Sequence, residues 1–324
     1  MRNIIFYLVI SILLVGCSKS YNGELIFVEA SLEDNFEYPY FLFIPNNAIQ
    51  NEKVFVIIEP NNSGFVDDDL QKHIEKAERT ATKDFYLGNY VAQELKYPLL
   101  VPVFPRSKSE SNIYTHSLDR DVMLQKGNKL ERLDKQLIEM FKDAQSILIN
   151  KNIQTHPQFL LVGFSASATF ANRFTLINPE KVFAVAAGGL NGLLMLPADT
   201  LENEVLNYPI GTNDLKALTN KSFTKDLFNK TPQFYFMGKL DENDAVPYSD
   251  AFGQVEREQI YRLLGEQMQP ERWNNCTQIY RNLNVNGTFL SYEDVGHEHP
   301  ESIKNEIIKF FREVIKKGNV QKWN

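Results

Sequence analysis

Three residue types in this sequence could together carry out acyl transfer. Ser165 is a hydroxyl nucleophile once a base removes its proton, and His297 is an imidazole, the side chain most often used as that base. A carboxylate from the stretch Gly238-Lys239-Leu240-Asp241-Glu242-Asn243-Asp244 could fix the tautomer of that imidazole and stabilise its cation. Each of the three follows an apolar run. Phe159-Leu160-Leu161-Val162-Gly163-Phe164 leads to Ser165, Phe234-Tyr235-Phe236-Met237 leads to the acidic loop, and Thr288 to Tyr292 leads to the His297 loop. Other histidines lack such a setting, and His73, His116 and His156 are expected in surface or structural roles. His297-Glu298-His299 could chelate a metal as a His-x-His pair, but no third ligand with suitable placement is visible, so neither a metal nor another cofactor is expected. Asp67-Asp68-Asp69 reads as the capped, dipole-compensating start of a helix that runs to about Lys83.

These residues need elements to carry them. The stretch before Ser165 reads as a buried strand. Ala168 to Phe174 reads as a helix, and the small residues between mark a very tight turn. Such a turn lifts the hydroxyl above a sheet and sets it at a helix N-terminus, where unpaired N–H groups favour a developing negative charge. Further strands are expected at Glu24 to Val28, Tyr38 to Ile44, Val54 to Ile58, Leu99 to Phe104 and Val182 to Ala187. Val54-Phe55-Val56-Ile57-Ile58 has no polar member, as in a strand covered on both faces. Leu130, Leu133, Leu137, Met140, Phe141, Ala144, Ile147 and Leu148 recur at helical spacing, as do Phe252 to Leu264 and Ile303 to Val314. Alternation of strands and helices predicts an α/β fold: a mostly parallel sheet of about eight strands with helices on both faces, binding its ligand beyond the carboxyl ends of the strands.

The chain order Ser, acid, His at strand ends resembles the α/β-hydrolase family, over about residues 24–316. More narrowly it is similar to secreted esterases and polyester depolymerase-like hydrolases, through the strand-Pro opening at Pro60 and the Gly238…Asp241…Val246-Pro247 acid loop. The resemblance implies a carboxylic ester hydrolase working through an acyl-enzyme, with Ser165 as nucleophile, His297 as base and Asp241 as acid. Asp241 lies three positions after Gly238, as the family places its acid, and Asp244 is the alternate. It also implies an oxyanion hole made by the Ala166 N–H and one from the loop after the third strand. Pro60 has no N–H, so Asn61 or Asn62 would supply it. The sequence departs from the family where Ser167 stands in place of the usual glycine. A peptidase or acyltransferase would use the same residues, and a non-catalytic binding lipoprotein could keep the scaffold.

The flanks and the composition add compartment and partners. Residues 1–16 combine Arg2 with an apolar run too short for an ordinary transmembrane helix, ending Leu14-Val15-Gly16-Cys17. This resembles a bacterial lipoprotein signal, which implies cleavage before Cys17, lipid on that cysteine, a tether over residues 17–23, and a single domain over residues 24–324 in the cell envelope. The membrane is then a partner through the lipid alone. Cys276, the other of the 2 cysteines, follows a helical segment and is expected as a buried structural thiol. A formal charge of −7 argues against nucleic acid as a partner, since phosphate binding needs clustered Lys and Arg. The substrate is expected to be a small or polymeric ester, and no oligomeric state is assigned. Residues 190–230 read as an insertion of mixed helix and loop that shapes substrate access, with Leu193-Leu194-Met195-Leu196 as core packing.

Overall fold

The computed structural model describes residues 21–62 and 64–321. The expected leader, Cys17 and most of the tether lie outside the described residues. Eight strands form the central sheet: β1 (Gly23–Val28), β2 (Tyr40–Pro45), β3 (Ile57–Ile58), β4 (Leu99–Pro102), β5 (Phe159–Phe164), β6 (Val182–Gly188), β7 (Gln233–Gly238) and β8 (Gly287–Tyr292). Their spatial order is β1-β2-β4-β3-β5-β6-β7-β8. β2 runs antiparallel to both β1 and β4, and every other pairing is parallel. Leu160, Leu161 and Val162 of β5 are all fully buried. Successive side chains of a strand point to opposite faces, so both faces of the sheet are covered.

The main helices are α1 (Leu70–Thr82), α2 (Leu87–Leu95), α3 (Leu133–Asn150), α4 (Ala166–Ile177), α5 (Gln254–Leu264), α6 (Trp273–Asn282) and α7 (Glu301–Gln321). Asp69 caps α1 by accepting from the Gln71 N–H, while Asp68 binds the N–H groups of Lys108 and Ser109 across the loop. The acidic triplet therefore shapes a turn. Among the described residues no group of three or more His, Cys, Asp or Glu is placed to hold a metal, and no helix is long and apolar enough to cross a membrane.

One expected strand is shorter than its apolar run, and one helix goes beyond the sequence reading. The run from Val54 is wholly buried, but it makes a regular ladder only at Ile57–Ile58, with an isolated bridge from Val54 to Thr155. α2 was not legible, because Gly88 and Asn89 in its first turn are poor helix formers. It forms where its apolar residues Leu87, Val91, Ala92 and Leu95 are buried. Cys276 is buried, as expected of a structural thiol, within α6, and burial pushes its thiol up to about 12, which disfavours the thiolate. Leu193 to Leu196 are buried, as expected of core packing. Around them, residues 190–230 form a two-stranded ribbon (Thr200–Leu201 with Glu204–Val205) and two short helices.

Candidate active site

The turn after β5 has the expected form. Ser165 adopts φ 62° and ψ −131°, a conformation that a non-glycine residue enters only under constraint, and it stands immediately before α4. Several contacts hold it there. Its N–H donates to the Gly188 carbonyl at 3.1 Å. Ser167 Oγ accepts from the Phe164 N–H at 2.9 Å and donates to the Phe164 carbonyl at 2.7 Å. The residue that departs from the family pattern thus staples the turn closed. Gly163 is required: a Cβ there would lie 2.4 Å from the Ser167 carbonyl oxygen, inside any real contact. The Ala166 N–H opens the first turn of α4, where the helix ladder offers it no acceptor.

β7 and β8 are parallel neighbours with Gly238 opposite Tyr292, and they release their loops side by side. The Leu240 N–H then donates to the Val295 carbonyl at 2.9 Å, which joins the acidic loop to the histidine loop. A Cβ on Gly238 would strike the Val295 and Gly296 carbonyls at 2.3 and 2.4 Å, so that close approach depends on glycine. Asp241 is buried and its Oδ2 lies 2.9 Å from His297 Nδ1. Asp244, the alternate, turns elsewhere: both its oxygens accept from Arg272 Nη1, at 2.9 and 3.0 Å. The structure therefore brings Asp241, and not Asp244, to the imidazole. The Phe164 ring packs against His297 at a tilt of 37°, with centroids 4.6 Å apart.

Ser165 and His297 share one cleft of about 520 Å³. They make no direct hydrogen bond to each other. Both instead accept from the side-chain amide of Asn243, whose Nδ2 lies 3.2 Å from Ser165 Oγ and 3.2 Å from His297 Nε2. The Asn243 backbone N–H also donates to Asp241 Oδ1 at 2.9 Å. Nothing in the sequence singled out Asn243 beyond its position in the acidic loop.

Of the two asparagines expected at the oxyanion position, Asn62 lines the cleft, and its Nδ2 reaches the Phe164 carbonyl at 3.4 Å. Asn61 is buried behind it, where Oδ1 accepts from the Phe104 N–H at 3.0 Å. His299 is not paired with His297. Its ring packs edge-on to Phe164 and tilts against Phe85, and burial, reinforced by the nearby Lys304 charge, holds it down to about 4 and therefore neutral. His73 and His116 are buried, with Nε2 at 2.9 Å from the Asp67 and Phe104 carbonyls respectively, and His156 stacks on Phe55.

The rest of the cleft comes from the β3 end, the α1–α2 corner and the start of α7, including Lys76, Tyr86 and Lys304. No residue of 190–230 lines it, contrary to the expected role of that insertion in access. Glu59 lies at its base and accepts from the Gly88 N–H at 2.6 Å. Burial pushes its carboxyl up to about 7, opposed by that N–H and by the charges of Lys76 and Lys304. The folded chain thus prefers this acid protonated. Its contribution to stability is full below the ordinary carboxylate range and is lost as pH rises through about 7. Glu59→Gln keeps an acceptor for Gly88 but cannot ionise. Thermal melts should place it close to the parent at pH 4.5 and above it at pH 8, with the gap opening between. A gap that does not change with pH would contradict the assigned titration.

No family model matches the sequence, and no curated protein sequence matches it. Solved structures do. The chain superposes on poly(aspartic acid) hydrolase-1 from Sphingomonas sp. KT-1 with a TM-score of 0.53 and 14% identity, over 89% of this chain and 97% of that one. It superposes on LpqC, a poly(3-hydroxybutyrate) depolymerase from Bordetella parapertussis, with a TM-score of 0.54 and 14% identity, over 90% and 89% of the two chains. For an S-formylglutathione hydrolase from Agrobacterium tumefaciens the TM-score is 0.51 at 11% identity, over 93% and 98%. At such identities the likeness is one of architecture. Together with the sheet order and the turn at Ser165, it establishes that this chain has the α/β-hydrolase fold.

Proposed function

We propose that this protein is a serine hydrolase of carboxylic esters, with Ser165 as nucleophile, His297 as general base and Asp241 as the acid that orients it. The observation that carries this reading is the Asp241–His297 pair, set on the same cleft as a serine at positive φ on a helix N-terminus. With Asp241 accepting from Nδ1–H, the Nε2 lone pair faces the nucleophile's side of the site. Ser165 Oγ attacks the ester carbonyl while its proton passes to Nε2. The oxyanion that forms accepts from the Ala166 N–H and from a backbone N–H of the 61–62 loop, Asn62 being the one on the cleft. The imidazolium then protonates the departing alcohol. Water, deprotonated by the same nitrogen, releases the acid from the acyl-enzyme. We assign the chain to the bacterial cell envelope, held to a membrane by lipid on Cys17, because the apolar leader stops at Gly16-Cys17.

A fluorophosphonate probe tests the chemistry. One equivalent should attach, and tryptic mass spectrometry should place it on the peptide that contains Ser165. A folded chain that takes up no probe, either as it stands or with the groups around Ser165 trimmed, would favour the binding-module alternative. A panel of esters graded in acyl length, run beside amide analogues, separates an esterase from a peptidase.

A further inference from the structure

The base in this site is already occupied. Because His297 Nδ1 faces Asp241, Nε2 carries the lone pair, and its partner is the Asn243 amide nitrogen at 3.2 Å. The same nitrogen lies 3.2 Å from Ser165 Oγ. An amide nitrogen has two hydrogens, so one group can serve both acceptors, and a lone pair on Nε2 requires the NH₂ end of the amide, not its oxygen, to face it. Asn243 Nδ2 therefore stands within hydrogen-bond reach of nucleophile and base at once. That is the position a leaving-group oxygen must take to receive a proton from Nε2, and the position a water must take to surrender one.

We propose that Asn243 is a displaceable latch: its amide fills the leaving-group and water position of the empty site, ties Ser165 to His297 without letting them bond, and is pushed out when substrate enters. The inference rests on the serine hydrolase reading. The local construction suits such a motion. Asn243 is exposed and lies in an irregular loop, so its side chain can turn into water. Its backbone is held independently, by the N–H that donates to Asp241 Oδ1 at 2.9 Å. The amide can leave without disturbing the acid. The two bonds it makes belong to the resting state only, and removing them should bring that state closer to the transition state. A group that merely supported His297 would have the opposite effect on removal.

The test measures the rate of fluorophosphonate capture by the full chain, by Asn243→Ala and by Asn243→Ser, whose side chain is too short to span both acceptors. In the reaction Ser165 Oγ forms a bond to phosphorus, the P–F bond breaks, fluoride leaves, and the hydroxyl proton passes to His297 Nε2. Circular dichroism melts verify that each chain is folded. Both variants should be captured faster than the parent, by about five- to thirty-fold if each exposed hydrogen bond contributes in the lower half of its usual net range. Acceleration of at least about threefold in both, beyond the spread expected for a neutral surface change, supports the latch. A smaller gain or a loss, with the parent still labelled at Ser165, overturns the latch and leaves the hydrolase reading standing. A parent that resists labelling while the variants accept it would support the latch in its tightest form. Folded chains that all remain unlabelled would sink both.

Discussion

Asp241→Asn should lower kcat for a good ester substrate by about 10⁴-fold, with a melting temperature close to that of the parent. The reason lies in donor and acceptor identity. Asp241 accepts from His297 through both oxygens, at 2.9 and 3.1 Å, and from the Asn243 N–H. An asparagine can keep the backbone contact, but its NH₂ end would face Nδ1. Nδ1 must then become the acceptor, and the proton moves to Nε2, where it points at the nucleophile instead of receiving from it. The fold is spared because shape and volume hardly change. His297→Ala should go further, by about 10⁵- to 10⁶-fold, since the groups of such a site act as a unit. Hydrolysis of a p-nitrophenyl ester, measured with thermal melts on the same preparations, checks both. Asp241→Asn activity within tenfold of the parent would remove the acid from its assigned role.

Asp244, three residues away, should give the reverse profile. Asp244→Ala leaves the Arg272 guanidinium fully buried and without its counter-charge. Breaking a buried pair in this way costs about 3–5 kcal/mol. Arg272 keeps the Gly192, Gly265 and Glu266 carbonyls as acceptors, which favours the lower end of that range. For a chain of this length about 3 kcal/mol corresponds to roughly 5 °C in Tm. The fraction that remains folded should still be labelled at Ser165. Destabilisation below about 1 kcal/mol would mean that Arg272 is held by the carbonyls alone. One loop thus carries two aspartates, one expected to govern turnover and the other stability, and the pair of variants separates them in a single experiment.

The sequence made Ser165 and His297 legible for a local reason: each follows an apolar run and lies beside small residues whose types a tight reversal or close loop approach demands. The acid was legible only as a pair of candidates, since what distinguishes Asp241 from Asp244 is which one meets a histidine and which one meets Arg272, and both partners are distant along the chain. The Asn243 contacts were not legible at all. They span 78 residues to Ser165 and 54 to His297, and no periodicity or turn signal encodes them. The cleft wall was misplaced for a similar reason. It is built where the α1–α2 corner meets the start of α7, and α2 itself follows from burial rather than from its own propensity.

The register between β7 and β8 has a further implication. Because Gly238 and Tyr292 are opposite each other on hydrogen-bonded rungs, the carboxylate and the imidazole inherit their separation from the spacing of the sheet. Of the long crossover between those strands, only its first residues, through Asp241 and Asn243, take part in setting it; α5 and α6 make no hydrogen bond to either group. Provided that the Asp241–Asp244 loop and the Arg272 that pairs with Asp244 are kept, the rest of that segment is open to lengthening or trimming by descent or by grafting, and new outer walls could be tried on this chassis while the spacing of Asp241 and His297 is handed down unchanged.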